Sequence, residues 1–213
     1  MDHQHPYIIG IAGGSASGKS HLLKSLKTAF PDQLSILSLD DFYRPLEQQQ
    51  KDQNGIENFD LPESIDKQRF VSMLEALCGG QSVQLADYSF NNPDKKEKTY
   101  KTIQPAPVLL VEGLFVFHEP AISTFLDLTV FLHADDHVRL DRRMKRDTTE
   151  RGITPKTVEY QWENHVMPSH QLYLEPYKIG ADIVFNTDSG CNIAFQFLSQ
   201  FIRHKIEWQA SLQ

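Results

Sequence analysis

The sequence predicts an α/β protein, a parallel sheet with helices on both faces. Three observations predict it. Short, continuous apolar runs recur along the chain, as strands buried on both faces require. Segments with apolar residues at helical spacing alternate with them. A glycine-serine loop, GGSASGKS at 13–20, joins the first run to the first helical segment. Strands and helices alternating in this way build a parallel sheet.

Each element has its own justification. YIIGIA (7–12) is the first strand. In KSHLLKSLKTAF, Leu22, Leu23, Leu26, Ala29 and Phe30 repeat at helical spacing, and Pro31-Asp32 stop the helix. LSILSL (34–39) is the second strand and ends at Asp40-Asp41. The polar stretch 44–62 is a long loop, and such loops in compact domains are often functional. PESIDKQRFVSMLEAL is a helix with Pro62 near its first turn. QSVQLADYSF and KTYKTIQ alternate as paired strands around the polar turn NNPDKKE, a hairpin over about 82–104. APVLLVEG (106–113) is the most continuous apolar strand, and LDLTVFLHA (126–134) is the next. DDHVRLDRRMKRDTTERG is a charged helix ending at Gly152, within a lid region over about 135–153. Thr154 as N-cap and Pro155 at the first position open another helix, which Pro168 kinks or breaks. ADIVFN (181–186) is the last strand and NIAFQFLSQFIRHKI the last helix.

The 213 residues read as one domain, 1–213. With 40% hydrophobic and 23% charged residues, a core forms without disulfides or a structural metal. A net charge of −7 argues against nucleic acid and anionic membranes as partners. Cys78 and Cys191 are far apart and in no metal-type spacing, so they read as free thiols in a reducing compartment. The amino-terminal residues lack a secretion signal and no apolar run is long enough to span a bilayer; the expectation is a cytoplasmic protein.

Gly13, four residues, then Gly18-Lys19-Ser20 fit G-x-x-x-x-G-K-[ST] between a strand and a helix, the phosphate loop of the P-loop NTPase fold. Gly13, Gly14, Ser15, Ala16, Ser17, Gly18, Lys19 and Ser20 are therefore expected to hold the phosphates of a nucleotide. Glycines let successive N–H groups turn inward, and the helix N-terminus adds its dipole. Lys19 is a point charge for the β- and γ-phosphates, and the Ser20 hydroxyl can bind Mg²⁺.

The bound phosphate is either hydrolysed or transferred. No guanine-reading N-K-x-D occurs, and DQNG (52–55) lies in a polar loop, not at a strand end. Asp40 and Glu112 each end a predicted parallel strand, at the edge where ligands bind in such sheets. One of the pair can support Mg²⁺ and the other can accept a proton from an attacking hydroxyl; capping of the following helices is the plainer alternative. Arg139, Arg143 and Arg146 share a helical face, and Arg151 follows. They read either as a solvated helix laced with i,i+4 pairs or as an arginine lid that stabilises a moving phosphoryl group and excludes water.

These stretches together resemble the uridine kinase (uridine-cytidine kinase) family of P-loop nucleoside kinases. IIGIAGGSASGKS, LSLDDFYR, NFDLPESID, VQLADYSF, VLLVEGL, RRMKRDTTERG and VMPSHQLYLEPYKIGADIVF run in family order over residues 7–190. The resemblance implies a five-stranded parallel sheet, a small β-hairpin lobe over the acceptor site, and a helical lid. It implies ATP and Mg²⁺, and transfer of the γ-phosphate to a nucleoside 5′-hydroxyl. Asp40 is then the general base, with Ser20 and Glu112 supporting Mg²⁺ beside it. Asp60 holds the ribose hydroxyls, Arg143 places the acceptor, Tyr88 and Phe90 line the base pocket, and Arg146 and Arg151 contact phosphate from the lid. A homo-oligomer follows from the tetramers common in the family. Read without the resemblance, Asp60 is a helix cap, and Tyr88 and Phe90, on one strand face, are core. His165 and His170 match no family role and read as structural or surface residues. Pro93 stands where the family has a base-reading histidine, and Ile153 where it commonly has an arginine. Losing two polar contacts relaxes discrimination among acceptors, so nicotinamide riboside or a sugar phosphate is the alternative acceptor. A regulatory NTPase switch is the alternative of another class.

Overall fold

The computed structural model describes residues 5–86 and 100–211. In chain order it has β1 Tyr7–Gly13, α1 Lys19–Ala29, β2 Leu34–Ser38, α2 Lys67–Cys78, β3 Val83–Ala86 and β4 Tyr100–Ile103. There follow β5 Val108–Glu112, α3 Pro120–Ser123, β6 Leu128–His133, α4 Asp136–Thr149 and α5 Pro155–Gln161. The last elements are α6 Met167–Ser169, α7 Glu175–Lys178, β7 Ile183–Asn186 and α8 Asn192–Ala210.

Five strands form one parallel sheet in the order β2-β5-β1-β6-β7. The central strands are apolar throughout because both faces are covered. Ile8 and Ala12 face one side with Leu109 and Val111, against Phe70 and Leu74 of α2. Ile9 and Ile11 face the other with Val108 and Leu110, against Leu22 and Leu26 of α1 and Leu198 and Ile202 of α8. Each such side chain, fully buried, contributes about 1.5–3 kcal/mol. The crossover from β1 runs to one side of the sheet and that from β5 to the other, so the loop after β1 lies at a topological switch point. β3 and β4 form a separate antiparallel pair, Val83 opposite Ile103 and Ala86 opposite Tyr100. Lys101 of β4 pairs with Asp41 at 2.6 Å and fastens this pair beside the end of β2. Tyr88, Phe90 and Pro93 lie outside the described residues.

Several expected boundaries differ. The helix expected from Pro62 begins at Lys67, because Asp66 caps it by accepting from Arg69 N at 3.2 Å. Pro62–Ser64 is a separate 3-10 turn, and Ile65 bridges to Tyr43 instead. Asp60 is thus not the cap of that helix. The polar stretch 44–62 is partly ordered by a 3-10 turn at Leu46–Gln48 and a bridge between Lys51 and Glu57. The charged helix stops at Thr149, three residues before Gly152, whose φ of 66° turns the chain so that Ile153 N reaches Asp147 O at 3.0 Å. Thr154 caps α5 as expected, accepting from Thr157 N.

Around Pro168 the helical path continues, but the regular α-helix is interrupted on both sides. Wide π-helical turns at Trp162–Val166 and His170–Leu174 flank α6 and absorb the missing N–H and the ring. Replacing the cap by Asp66→Ala is expected to cost about 1 kcal/mol, read as a lower urea midpoint with an unchanged slope.

Candidate active site

All five parallel strands end at one edge, and the cavity of about 340 Å³ there is where the expected site residues gather. The loop after β1 supplies its floor. Gly14 O accepts from Ser17 N at 3.1 Å, and Ala16 has a φ of 61°. Gly18 has a φ of 100° and caps α1 without any side-chain bond, which leaves the first-turn N–H groups to a ligand. A Cβ on Gly18 would lie 2.6 Å from Cys191 Sγ, and one on Gly14 would lie 2.1 Å from Arg139 Nη1. A side chain at Gly18 would be both crowded and strained, and one at Gly14 would have to displace the Arg139 guanidinium. Ser15, Ala16, Ser17, Gly18, Lys19 and Ser20 line the cavity. Lys19 Nζ donates to Gly13 O at 2.7 Å and Gly14 O at 3.3 Å. Burial lowers its pKa, while Glu112 and Asp40 act in the opposite sense.

The strand-end acids do not cap helices. Ser38 caps the short 3-10 turn Leu39–Phe42 by accepting from Asp40 N, leaving the exposed Asp40 carboxylate to the cavity. Register sets Glu112 level with Ser38 and Ile11, and Ser38 Oγ donates to Glu112 Oε1. Glu112 is buried beneath the cavity; burial and the Asp40 charge push its pKa up to about 7, against the pull of Lys19. Ser20, Asp40 and Glu112 offer only oxygen donors, and two mutually repelling carboxylates favour a divalent cation between them. That donor set suits Mg²⁺, which fills its shell with water and phosphate oxygens. No group of three His, Cys, Asp or Glu side chains among the described residues forms a closed metal cage.

The arginines divide. Arg143, Arg146 and Arg151 line the cavity. All three converge on Asp147, which is wholly buried: Arg143 Nε lies 3.3 Å from Oδ2, and Arg146 Nε and Arg151 Nη1 lie 2.7 and 3.2 Å from Oδ1. Arg143 also donates to Ser15 Oγ at 2.9 Å, tying α4 to the phosphate loop. Arg139, expected on the same face, instead lies buried behind the loop, against Gly14 and over the Trp162 ring, with Asp136 at 2.6 Å. His170 is buried beside it and pairs with Glu175 at 3.2 Å. Burial and the Arg139 charge push the His170 pKa down to about 4.

Asp60 lines the same cavity, as do Tyr43, Phe59, Leu114, Ile153 and Gln161. Burial raises its pKa, against Arg143 and His165. Motif reading missed Asp147, Arg142, Gln161 and His165. For Asp147 a signal existed: it stands i+4 from Arg143 and i−4 from Arg151. Arg142 lines the cavity and donates to Thr187 O and Asp188 O, both at 2.8 Å, while Thr187 Oγ1 donates to Ser17 O at 2.8 Å. The turn after β7 is thereby fixed to α4 and to the loop.

A phosphate cradle, a free strand-end carboxylate and an arginine wall around one cavity define a P-loop phosphotransferase. The profile of the phosphoribulokinase / uridine kinase family matches residues 8–194, and the chain belongs to that family. It is 36% identical over 182 residues to a uridine kinase of Chloroflexus aurantiacus, covering 85% of this chain and 87% of that one. It is 35% identical over 204 residues to the uridine-cytidine kinase-like 1 protein of Mus musculus, covering 94% of this chain and 37% of the relative. In fold it matches D-glycerate 3-kinase from Cryptococcus neoformans with a TM-score of 0.58 at 17% identity, over 86% of each chain. The chain is a kinase with a hydroxyl group as acceptor. Among the described residues, no helix is long and apolar enough to cross a membrane.

Asp147→Asn is expected to lower unfolding stability by about 1–3 kcal/mol and to weaken ATP binding, read by chemical denaturation and calorimetric titration. His170 gives a pH dependence. Below its ordinary 6.5 the unfolded chain takes a proton that the folded chain refuses until about pH 4. Stability therefore falls as pH drops through that window, and His170→Phe flattens that part of a urea-midpoint profile.

Proposed function

We infer that this chain is a Mg²⁺- and ATP-dependent nucleoside kinase that transfers the γ-phosphate of ATP to a 5′-hydroxyl, with uridine or cytidine as acceptor. The observation that carries this reading is one cavity lined by the phosphate loop, Asp40 and Asp60 together. The loop N–H groups and Lys19 hold the donor phosphates. Asp60 takes the ribose hydroxyls and Arg143 steadies the acceptor, which brings its 5′-hydroxyl to Asp40. Asp40 accepts the hydroxyl proton as the new O–P bond forms and the bond to ADP breaks. Arg146 and Arg151, oriented by Asp147, stabilise the charge spread over the moving group. Ser20 and Glu112, with Asp40 beside them, would hold Mg²⁺, which when bound neutralises charge on the β- and γ-phosphates. Tyr88 and Phe90 belong to the base pocket in this reading.

A second acceptor class, another small riboside or a sugar phosphate, is favoured by one observation. Ile153 lines the cavity where the family commonly has an arginine, and it offers an acceptor no side-chain hydrogen bond. A switch NTPase has no comparable support. The same reading includes a cytoplasmic role in pyrimidine salvage and assembly as a homo-oligomer; exposed Val184, Ile193 and Phe197 are side chains that a second copy would cover.

An ATP-consumption screen over uridine, cytidine, purine nucleosides, nicotinamide riboside and simple sugars tests the reading. Turnover is expected only with an acceptor present and to be fastest with a pyrimidine nucleoside; acceptor-independent turnover refutes transfer. Lys19→Ala is expected to abolish that turnover, because it removes a charged contact worth about 1.5–3 kcal/mol or more. Asp40→Asn is expected to cut kcat by about 10²–10⁴-fold while ATP affinity changes little. Parental kcat in that variant removes Asp40 from the role of base.

A further inference from the structure

The cavity wall that carries Asp60 also carries a buried histidine to which the reaction above gives no task. His165 is 2% exposed, lines the cavity, and sits in the π-helical turn Trp162–Val166. Wide turns of this kind re-aim a side chain relative to a regular helix and recur at functional sites. Its Nε2 lies 2.8 Å from Asp52 Oδ2.

Asp52 holds this ring through one of its nitrogens. Tyr160 donates to the same carboxylate oxygen at 2.6 Å, and Asn54 N and Ile56 N donate to the other at 2.8 and 3.0 Å. With so many donors, and the Tyr160 hydroxyl foremost, the carboxyl is held far below the usual range and stays ionised. Asp52 has no proton to give, so Nε2 carries the hydrogen and donates. The ring packs edge-on against Tyr160 at 5.8 Å, which limits its rotation. Nδ1 is not among the fully buried side-chain atoms left without a partner, so it is open to a group that enters the cavity His165 lines.

We propose that His165 is an acceptor-binding residue: pinned by Asp52 through Nε2, it hydrogen-bonds through Nδ1 to a hydroxyl or N–H group of the bound acceptor beside Asp60. His165 and Asp60 are close enough for the histidine to bear on the Asp60 carboxyl. Two polar groups on one wall then discriminate among acceptors, because an analogue that lacks the matching group leaves one of them unpaired. The proposal rests on the assignment of this wall of the cavity to a riboside acceptor. Asp52 is a positioning residue in it, acting only through the imidazole. The stretch DQNG, which matched no nucleotide-binding role, gains a purpose as the mount of that carboxylate.

Two side-chain swaps separate recognition from simple bracing. Glutamine places its amide nitrogen where imidazole has Nε2, so His165→Gln keeps the bond to Asp52 and loses Nδ1. Asparagine mimics Nδ1, so His165→Asn keeps the cavity contact and loses the bond to Asp52. Both are assayed with the riboside that the parent phosphorylates fastest among uridine, cytidine, adenosine and nicotinamide riboside. His165→Gln is expected to raise the acceptor KM about tenfold, with the ATP KM held within about twofold and the melting temperature near that of the parent. With the 2′- or 3′-deoxy analogue that lacks the contacted hydroxyl, or a base analogue lacking the contacted N–H, parent and variant should become equal. An unchanged acceptor KM in His165→Gln, with a lowered melting temperature in His165→Asn, reduces His165 to a brace and overturns the proposal. A parent enzyme that phosphorylates none of the four ribosides overturns the acceptor assignment as well.

Discussion

Parallel pairing of β1 with β5 and β6 sends the carboxyl ends of all five strands of the main sheet to one edge, and the chemistry of the molecule is hung on that edge. The pairing is enforced by burial on both faces, so a slip of one strand past another would break two apolar layers together. Register then becomes a positioning device. It brings Ser38 and Glu112 side by side, sets the Asp40 turn above them, and starts the phosphate loop from the strand in the middle. None of these groups needs a long side chain to reach the others, because the sheet has already done the bringing together.

The second organising element is a balance of charge. Lysine and arginine crowd the cavity, and such a cluster repels itself without a compensating group. Asp147 supplies that compensation from inside, as a fully buried carboxylate shared by three guanidinium groups from α4 and the segment just after it. Asp40 and Glu112 supply it from the sheet, with Lys19 between them in the electrostatic sense. Positive charge is thereby held in place for a phosphate and is not left to spread into solvent.

What the sequence disclosed follows from how far apart the cooperating residues lie. The phosphate loop was legible because its parts are contiguous and bracketed by a strand and a helix. Asp40 and Glu112 were legible because strand ends can be read from apolar runs, and parallel sheets share an edge. The start of α2 was misplaced because Pro62 is a good first-turn residue, yet Asp66 offers the capping bond and Ile65 is drawn into a bridge with Tyr43. Pro168 marked an irregularity, but not its form: π-helical turns on both sides accept the proline. The Asp52–His165 pair was invisible: a polar loop and a distant helix meet only through tertiary packing, 113 residues apart in sequence. Arg139 shared a helical face with the cavity arginines but turned to the Trp162 ring and the back of the loop, a choice made by packing and not by periodicity.

Cys191 and Gly18 stand 173 residues apart, yet the thiol occupies the space that a side chain at position 18 would need. The two sites therefore share one volume. Any lineage that enlarges residue 191 has no slack at residue 18 to absorb the change, and a smaller residue at 191 opens a void directly under the turn that starts α1. The residue that opens α8 is in this way held to the same steric limit as the glycine that opens α1.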